Sequence, residues 1–216
     1  THALIQDSVI FKKLGLVIID EQHRFGVGQR QALINKGDQP DILAMTATPI
    51  PRTLALTVYG DMTVSEIHHL PAGRKPIIST WKTSSQMKEV YRQMQEQLNQ
   101  GFQIYAVTPL ITESETLDLK NAEELHEKLS HDFPDQKVVL LHGQMPGAQK
   151  DEIMAAFAAG EINILVTTSV IEVGVDVANA NMMVIYNADR FGLSQLHQLR
   201  GRIGRGQTQS YCVFLA

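Results

Sequence analysis

The sequence predicts an α/β protein built on parallel sheets. Short β-branched runs bounded by turn residues alternate with helical patterns along the 216 residues, and this alternation is typical of βαβ units. With 44% hydrophobic residues, the chain can also bury an ordinary globular core. The same sequence contains no internal repeat, low-complexity segment or heptad pattern. Disordered, collagen-like and coiled-coil architectures are therefore excluded.

Each predicted strand is a short apolar run that ends at polar or turn residues. The runs are rich in Val and Ile and are too short to be helices of ordinary length. In chain order the predicted strands are Leu16–Ile19, Ile42–Met45, Ile77–Trp81, Gln103–Val107, Val138–Leu141, Ile162–Thr167, Met182–Tyr186 and Tyr211–Leu215.

Each predicted helix has a helical pattern, and several have a recognisable end. Ser84 and Ser85 precede an amphipathic pattern that stops at Gly101, Pro146 suits a first helical position, and Gly160 is a helix terminator. In chain order the predicted helices are Val27–Asn35, Pro51–Val58, Ser85–Gln100, Asn121–His131, Pro146–Ala159 and Ser194–Ile203.

A domain boundary is predicted where HLPAGRKP, residues 69–76, interrupts the pattern with two prolines and a glycine. Residues 1–75 carry 8 basic and 7 acidic groups, whereas residues 76–216 carry 11 and 16, so the balance changes sign there. The first part has too few strands for a complete domain. The second has enough alternations for a complete doubly wound domain.

The sequence predicts a soluble protein of a reducing compartment. It has no export leader, and its longest apolar runs fall well short of the roughly 20 residues of a membrane helix. The only cysteine, Cys212, can form no internal disulfide and is predicted to be a buried strand thiol. Because no initiator methionine precedes Thr1, we expect the chain to be a piece of something longer.

Two adjacent carboxylates, Asp20 and Glu21, follow the first predicted strand directly. Open α/β sheets bind ligands at the carboxyl ends of their strands, and neighbouring residues of a strand point to opposite faces of the sheet. One carboxylate can hold Mg²⁺ through water while the other orients and deprotonates an attacking water. The alternative is a pair of solvated acids at a strand end.

An arginine pair near the end of the chain fits the pattern Q-x-x-G-R-x-x-R through Gln198, Gly201, Arg202 and Arg205. Residues three apart share one face of a helix, and guanidinium groups suit the charge that develops on a transferring phosphoryl group. The glycines here weaken a helix, which suggests that the backbone approaches a ligand or another domain. The alternative is a solvent-facing basic helix end.

Four strings, DEQH at 20–23, TATPIPRTL at 46–54, TTSVIEVGVDV at 167–177 and QLRGRIGR at 198–205, follow the order and spacing of motifs II, III, V and VI of superfamily-two helicases. Together with THALIQD at the start, they make the chain resemble the RecG family of bacterial branched-DNA helicases over practically its whole length. The resemblance implies RecA-like parallel-sheet domains of the P-loop NTPase helicase fold. Residues 1–75 would be the rear of the first domain, and residues 76–216 nearly all of the second.

The resemblance also implies roles for residues that match the motifs. Asp20 becomes the Mg²⁺ carboxylate, Glu21 the base for water attack, and Arg202 and Arg205 the side chains that reach the γ-phosphate of ATP. The other implied roles are coupling of nucleotide state to DNA for His23, Thr46 and Thr48, nucleotide binding for Gln198, Gly174 and Asp176, and DNA binding for Thr1, His2, Thr167, Thr168 and Glu172. His142, in the LLHGQM loop, could contact nucleic-acid backbone or could sit in a simple β–α turn.

The implied cofactors are ATP and Mg²⁺, and the implied partner is branched or forked double-stranded DNA, such as stalled forks and Holliday junctions, in recombination and repair. A monomeric motor in the bacterial cytoplasm, associated with the nucleoid and not with a membrane, is expected. The chain has no G-x-x-x-x-G-K-[ST] loop to hold the phosphates, so we expect no ATP hydrolysis by it alone. The histidines have no zinc-binding spacing.

Two other interpretations remain at this stage. The first is the transcription-repair coupling factor, a motor whose partner is RNA polymerase. It shares much of these strings but usually has Glu where this chain has His23. A non-catalytic nucleic-acid-binding scaffold would keep the fold, but it has no use for Asp20, Glu21, Arg202 and Arg205 together.

Overall fold

The computed structural model describes residues 2–21, 25–46, 63–69, 73–109, 115–168 and 177–216. The contacts between residues divide the chain into two compact units, Thr1–Ser65 and Glu66–Ala216. This division falls before the predicted boundary at residues 75 and 76, and the assignment of the units to parts of two RecA-like domains stays a prediction. The predicted helix Pro51–Val58 lies outside the described residues.

The first unit contains a two-stranded parallel sheet, β1 (Leu16–Ile19) and β2 (Asp41–Ala44), joined through helix α1 (Val27–Ile34). Val17 and Ile19 of β1 are buried, whereas 56% of Ile18, on the opposite face, is exposed. Strand side chains alternate between faces, so one face of β1 is covered and the other is open among the described residues.

The second unit is a six-stranded parallel sheet in the order β3-β8-β7-β4-β6-β5, which confirms the predicted α/β class. Its strands are β3 (Ile78–Lys82), β4 (Gln103–Thr108), β5 (Val138–Leu141), β6 (Ile164–Thr168), β7 (Ala180–Ile185) and β8 (Tyr211–Leu215). Its helices are α2 (Met87–Asn99), α3 (Glu115–Asp132), α4 (Gly147–Ala158) and α5 (Leu193–Arg200). No helix of the described residues is both long and apolar enough to cross a bilayer.

Helices cover both faces of this sheet, and the alternation within β6 shows why. Ile164 and Val166 are fully buried in a cluster with residues of α2 and α3, whereas Leu165 between them is buried with residues of α4 and α5. A strand with helices on both sides needs a continuous apolar run, which β6 has. The sheet is therefore packed on both faces, and this packing holds the residues at its carboxyl edge in place.

Cys212 is the buried strand thiol that the sequence predicts. Burial raises the pKa of the Cys212 thiol to about 12, while the nearby Arg200 charge acts in the opposite direction. The thiolate is the reactive form of cysteine. The thiol is therefore protonated and unreactive at neutral pH.

Gln103 ties together the amino-terminal edge of the sheet. The side chain is buried, and its Nε2 donates to the carbonyl oxygens of Phe157 and Ile162 at 2.6 Å each. Replacing Gln103 by leucine keeps the bulk of the side chain but removes the donor from these carbonyls. We expect the free energy of unfolding of the second unit to fall by about 1–3 kcal/mol.

The measurement is urea unfolding of the chain followed by the fluorescence of Trp81, its only tryptophan, which lies on β3. Gln95→Leu is the matched control, because Gln95 is exposed on α2 and bonds only its helical neighbour Asn99 among the described contacts. Equal unfolding midpoints for the two variants would contradict the role of Gln103.

Candidate functional site

The carboxyl edge of the first unit's sheet brings together three of the predicted site residues. Asp20 and Glu21 follow β1 directly, and Thr46 is the second residue after β2. The parallel register pairs Ile19 with Ala44, and the Met45 N–H donates to the Ile19 carbonyl at 2.8 Å, so both strands end at the same level. The acid pair and Thr46 therefore lie on one edge, as expected for a ligand site of a parallel sheet.

Glu21 adopts a backbone conformation that is rare for its residue type. Its φ is +50°, in the left-handed region, and its N–H donates to Asp20 Oδ1 at 2.9 Å. Such a conformation costs about 1–3 kcal/mol in a non-glycine residue, and it occurs also at Gln39 and Asn187 of this chain. The turn separates the two acids, since Asp20 is exposed and Glu21 is half-buried. One edge thus offers two carboxylates in different surroundings.

In the second unit, the predicted DNA-binding residues lie at the carboxyl ends of β5 and β6. Thr167 and Thr168 are the last residues of β6, and the register pairs Thr167 with Leu141, directly before His142. Both threonines are buried, and Thr167 Oγ1 donates to the Thr168 carbonyl at 2.9 Å. Their side chains therefore lie within the protein at this edge.

His142 begins a closed turn between β5 and α4. The Met145 N–H donates to the His142 carbonyl at 3.2 Å, and Lys150 Nζ donates to the Gly143 carbonyl at 2.9 Å. The Nδ1 atom of His142 is buried and has no hydrogen-bond partner within the described parts of the chain. The turn is held from α4, which fixes the position of the histidine at the edge.

The arginine pair lies at the end of α5, in a segment that we call the arginine loop, residues 201–206. The helix ends at Arg200. Arg202 follows in a turn, and its backbone N–H donates to the Leu199 carbonyl at 2.9 Å. Gly204 has φ +73°, which no continuing right-handed helix adopts. Because α5 already ends at Arg200, the predicted helix through Ile203 is wrong, and so is the placement of Arg202 and Arg205 on one helical face.

The arginine loop anchors its backbone and leaves its arginines at the surface. Ile203 is fully buried, whereas Arg202 is half-buried and Arg205 is exposed. Gln198, on the last turns of α5, is half-buried. Two guanidinium groups on a short anchored segment suit an anionic ligand better than a continuous helix face would.

The glycines of this loop are explained by contacts within the second unit. A Cβ at Gly206 would lie 2.8 Å from the Ala178 carbonyl oxygen, and one at Gly204 would lie 2.8 Å from Ile77 Cγ1. The sequence suggested approach to a ligand or another domain, whereas these glycines permit close approach to their own unit. Sequence reasoning also missed Arg74, whose Nε donates to the Gly204 carbonyl at 2.7 Å.

Several predicted residues lie outside this description, and their roles stay predictions. His2 belongs to a short 3-10 helix, His2–Ile5, but its side chain is not described. The predicted residues outside the described ranges are Thr1, His23, Thr48, Glu172, Gly174 and Asp176. Within the described ranges, no group of three His, Cys, Asp or Glu side chains is placed to hold a metal ion.

A family model, the helicase conserved C-terminal domain, matches residues 85–207. This range includes most of the second unit's sheet and the whole arginine loop. The match therefore covers more than half of the chain.

The whole chain is similar to bacterial RecG proteins. It is 58% identical to the ATP-dependent DNA helicase RecG of Streptococcus pneumoniae and 57% identical to that of Staphylococcus aureus, each over 100% of this chain and 32% of the relative. The chain thus spans about a third of the length of the curated relatives it matches. The resemblance inferred from the motifs is confirmed.

Solved structures agree with this similarity. A RecG structure bound to a three-way DNA junction matches 100% of this chain and 28% of its own, with a TM-score of 0.76 and 48% identity. Saccharomyces cerevisiae Dbp5 bound to RNA and ADP BeF3 matches 100% of this chain and 56% of its own, with a TM-score of 0.64 at 15% identity, which shows a shared fold. The predicted helicase fold class is confirmed.

Proposed function

The chain belongs to the family that carries the helicase conserved C-terminal domain and is related to RecG along its whole length, and on this premise we propose that it is part of the motor of an ATP-dependent helicase acting on branched DNA. The observation that carries the proposal is the match over the entire chain. That match includes the acid pair, the arginine loop and the motifs between them in one order. In this proposal the helicase acts at stalled forks and junctions in DNA repair and recombination, at the nucleoid in the bacterial cytoplasm.

The acid edge would hold Mg²⁺ and prepare the water that attacks ATP. The Asp20 carboxylate is exposed and accepts the Glu21 N–H through Oδ1, which leaves Oδ2 at the surface for a hard cation, and carboxylate oxygens are what Mg²⁺ prefers. Bound there, Mg²⁺ would neutralise charge on the phosphates. Glu21, in its half-buried position, would orient the water and accept its proton.

The arginine loop would supply positive charge to the γ-phosphate. The guanidinium groups of Arg202 and Arg205 stay protonated and can donate two parallel hydrogen bonds to phosphate oxygens. As the γ-phosphoryl group leaves, charge spreads over its oxygens, and these donors stabilise that charge. Gln198, one helical turn before Arg202, would contribute to nucleotide binding.

The DNA would be held mainly through its phosphates at the carboxyl edge of the second unit. His142 lies on a turn there and has a side chain that can donate to a phosphate. Since Thr167 and Thr168 are buried, we place them beneath this edge, where they support it. Thr46, on the acid edge, would couple the nucleotide to DNA. Binding through phosphates is insensitive to sequence and weakens as salt rises.

Neither alternative from the sequence is favoured. RecG helicases match the whole of this chain at 57–58% identity, which speaks against the transcription-repair coupling factor. A non-catalytic scaffold has no use for the acid pair, Asp20 and Glu21, together with the arginine pair, Arg202 and Arg205.

The test compares the full-length gene product with the isolated 216-residue chain. We expect the full-length protein to hydrolyse ATP with Mg²⁺, faster with a three-way DNA junction than with linear duplex of equal length, and to unwind the junction. The isolated chain should show no ATP hydrolysis, because it lacks the phosphate-binding loop. Hydrolysis by the isolated chain, or a full-length protein that does not respond to branched DNA, would contradict the proposal.

A further inference from the structure

The segment that opens the second unit, residues 73–77, lies along the arginine loop and is called the strap here. Three hydrogen bonds fix it: Arg74 Nε donates to the Gly204 carbonyl at 2.7 Å, Gln209 Nε2 to the Pro76 carbonyl at 2.8 Å, and the Ile78 N–H, directly after the strap, to the Ser210 carbonyl at 2.9 Å. The strap is thus bonded at both of its ends to the segment that carries the arginine pair and leads into β8.

Packing holds the same loop from two sides. Gly204 lies so close to Ile77 that a Cβ would come within 2.8 Å of its side chain, and Gly206 approaches the backbone of Ala178 equally closely. Ile203 is fully buried between these glycines and α5. A segment with three glycines has little conformational preference of its own. Its shape is therefore set by the strap and by the residues before β7.

Arg74 makes a side-chain hydrogen bond from the strap to the loop, directly before Arg205. Its acceptor, the Gly204 carbonyl, belongs to the peptide group that joins Gly204 to Arg205. A guanidinium donor is permanently charged, so this hydrogen bond is stronger than one between neutral groups. Fixing this peptide group limits the positions that the Arg205 N and Cα atoms can take.

We propose that Arg74 is a positioning residue for ATP hydrolysis, which holds the Gly204–Arg205 peptide group so that Arg205 meets the γ-phosphate. This inference rests on the proposed function of the two arginines. Because Arg74 and Pro76 are both bonded to the segment that carries the arginine pair, the strap supports the loop whose groups would stabilise the leaving phosphoryl charge.

The test is Arg74→Met in the full-length gene product, which keeps the half-buried stem and removes the donor. We expect kcat for DNA-stimulated ATP hydrolysis to fall about 10- to 100-fold, since a displacement of about 1 Å has that effect on a catalytic group. The KM for ATP should change less than about 2-fold, because the contact matters mainly in the transition state. Arg92→Met, at an exposed arginine of α2, is the matched control and should behave as wild type.

A double variant separates positioning from a loss of fold. In an Arg205→Ala background, adding Arg74→Met should lower kcat less than about 2-fold, because the residue to be positioned is gone. If Arg74→Met lowers the melting temperature to the assay temperature, Arg74→Lys, which keeps the charge but not the guanidinium donor, is used in the same cycle and should lower kcat with unchanged KM.

The outcomes distinguish the two proposals. Independent, multiplying effects in the double variant, or a wild-type kcat for Arg74→Met, would overturn the positioning role while leaving the helicase function intact. A wild-type protein without DNA-stimulated hydrolysis would instead refute the proposed function, and the inference with it.

Discussion

Replacing Glu21 by glutamine in the full-length gene product is expected to lower kcat for DNA-stimulated ATP hydrolysis by about 10²–10⁴-fold. The amide has nearly the size of the carboxylate but cannot accept a proton from the attacking water. Glu21 is half-buried and its N–H is bonded to Asp20, so the substitution leaves the turn in place. The measurement is steady-state hydrolysis at saturating junction DNA over a range of ATP concentrations.

The loss should fall on kcat and not on nucleotide binding. We expect the KM for ATP to stay within about 3-fold of wild type, since the proton is transferred only in the transition state. Glu152→Gln is the matched control, because Glu152 is exposed on α4 and has no place in the proposed site. Turnover by Glu21→Gln within 3-fold of wild type would remove the base assignment.

The strands were predictable because their signal is local. A short run of Val, Ile and Leu between turn residues is typical of a strand in a parallel sheet, and the predicted bounds of Leu16–Ile19, Val138–Leu141 and Tyr211–Leu215 agree with the structure. The positions of Asp20, Glu21 and His142 at sheet edges follow from the same signal, since carboxyl ends of parallel strands carry the ligand sites. Local sequence thus placed the acid edge.

Helix bounds were less predictable where tertiary contacts decide them. Helix α3 begins at Glu115, six residues before the predicted Asn121, because adding residues to an existing helix costs little even when their own preference is weak. At the other extreme, α5 ends at Arg200, and the glycine-rich segment after it turns away, with Gly204 close against Ile77. The helical spacing of the two arginines gave no sign of that contact.

The least predictable feature was the support of the site. Arg74 and Gly204 are 130 positions apart in sequence, and neither belongs to a pattern that relates them. The glycines of the arginine loop signalled close approach, but a glycine does not specify what approaches it. Similarly, the sequence could not show that Thr167 and Thr168 are buried, because hydroxyl side chains suit both a ligand and a neighbouring backbone carbonyl.

Replacing Arg205 by alanine in the full-length gene product should lower kcat for DNA-stimulated hydrolysis by about 10³-fold or more, and Arg202→Ala should act in the same direction. Each substitution removes a permanently charged fork from the oxygens that gain charge as the phosphoryl group transfers. Arg205 is exposed on a loop anchored by buried Ile203, so its loss leaves the fold unchanged. Melting temperatures within about 2 °C of wild type would verify this.

Lysine at position 205 provides the sharper comparison. Arg205→Lys keeps the charge but replaces the planar fork by a single ammonium group, so it should recover less than about a tenth of the lost rate. Full recovery by lysine would mean that the loop contributes only general positive charge, as on the solvent-facing basic surface that was the alternative from the sequence. Partial or no recovery, with wild-type activity of the Arg92→Ala control, identifies a site that recognises phosphoryl oxygens by geometry. An anchored loop with Gly204 in the left-handed region can provide such a geometry.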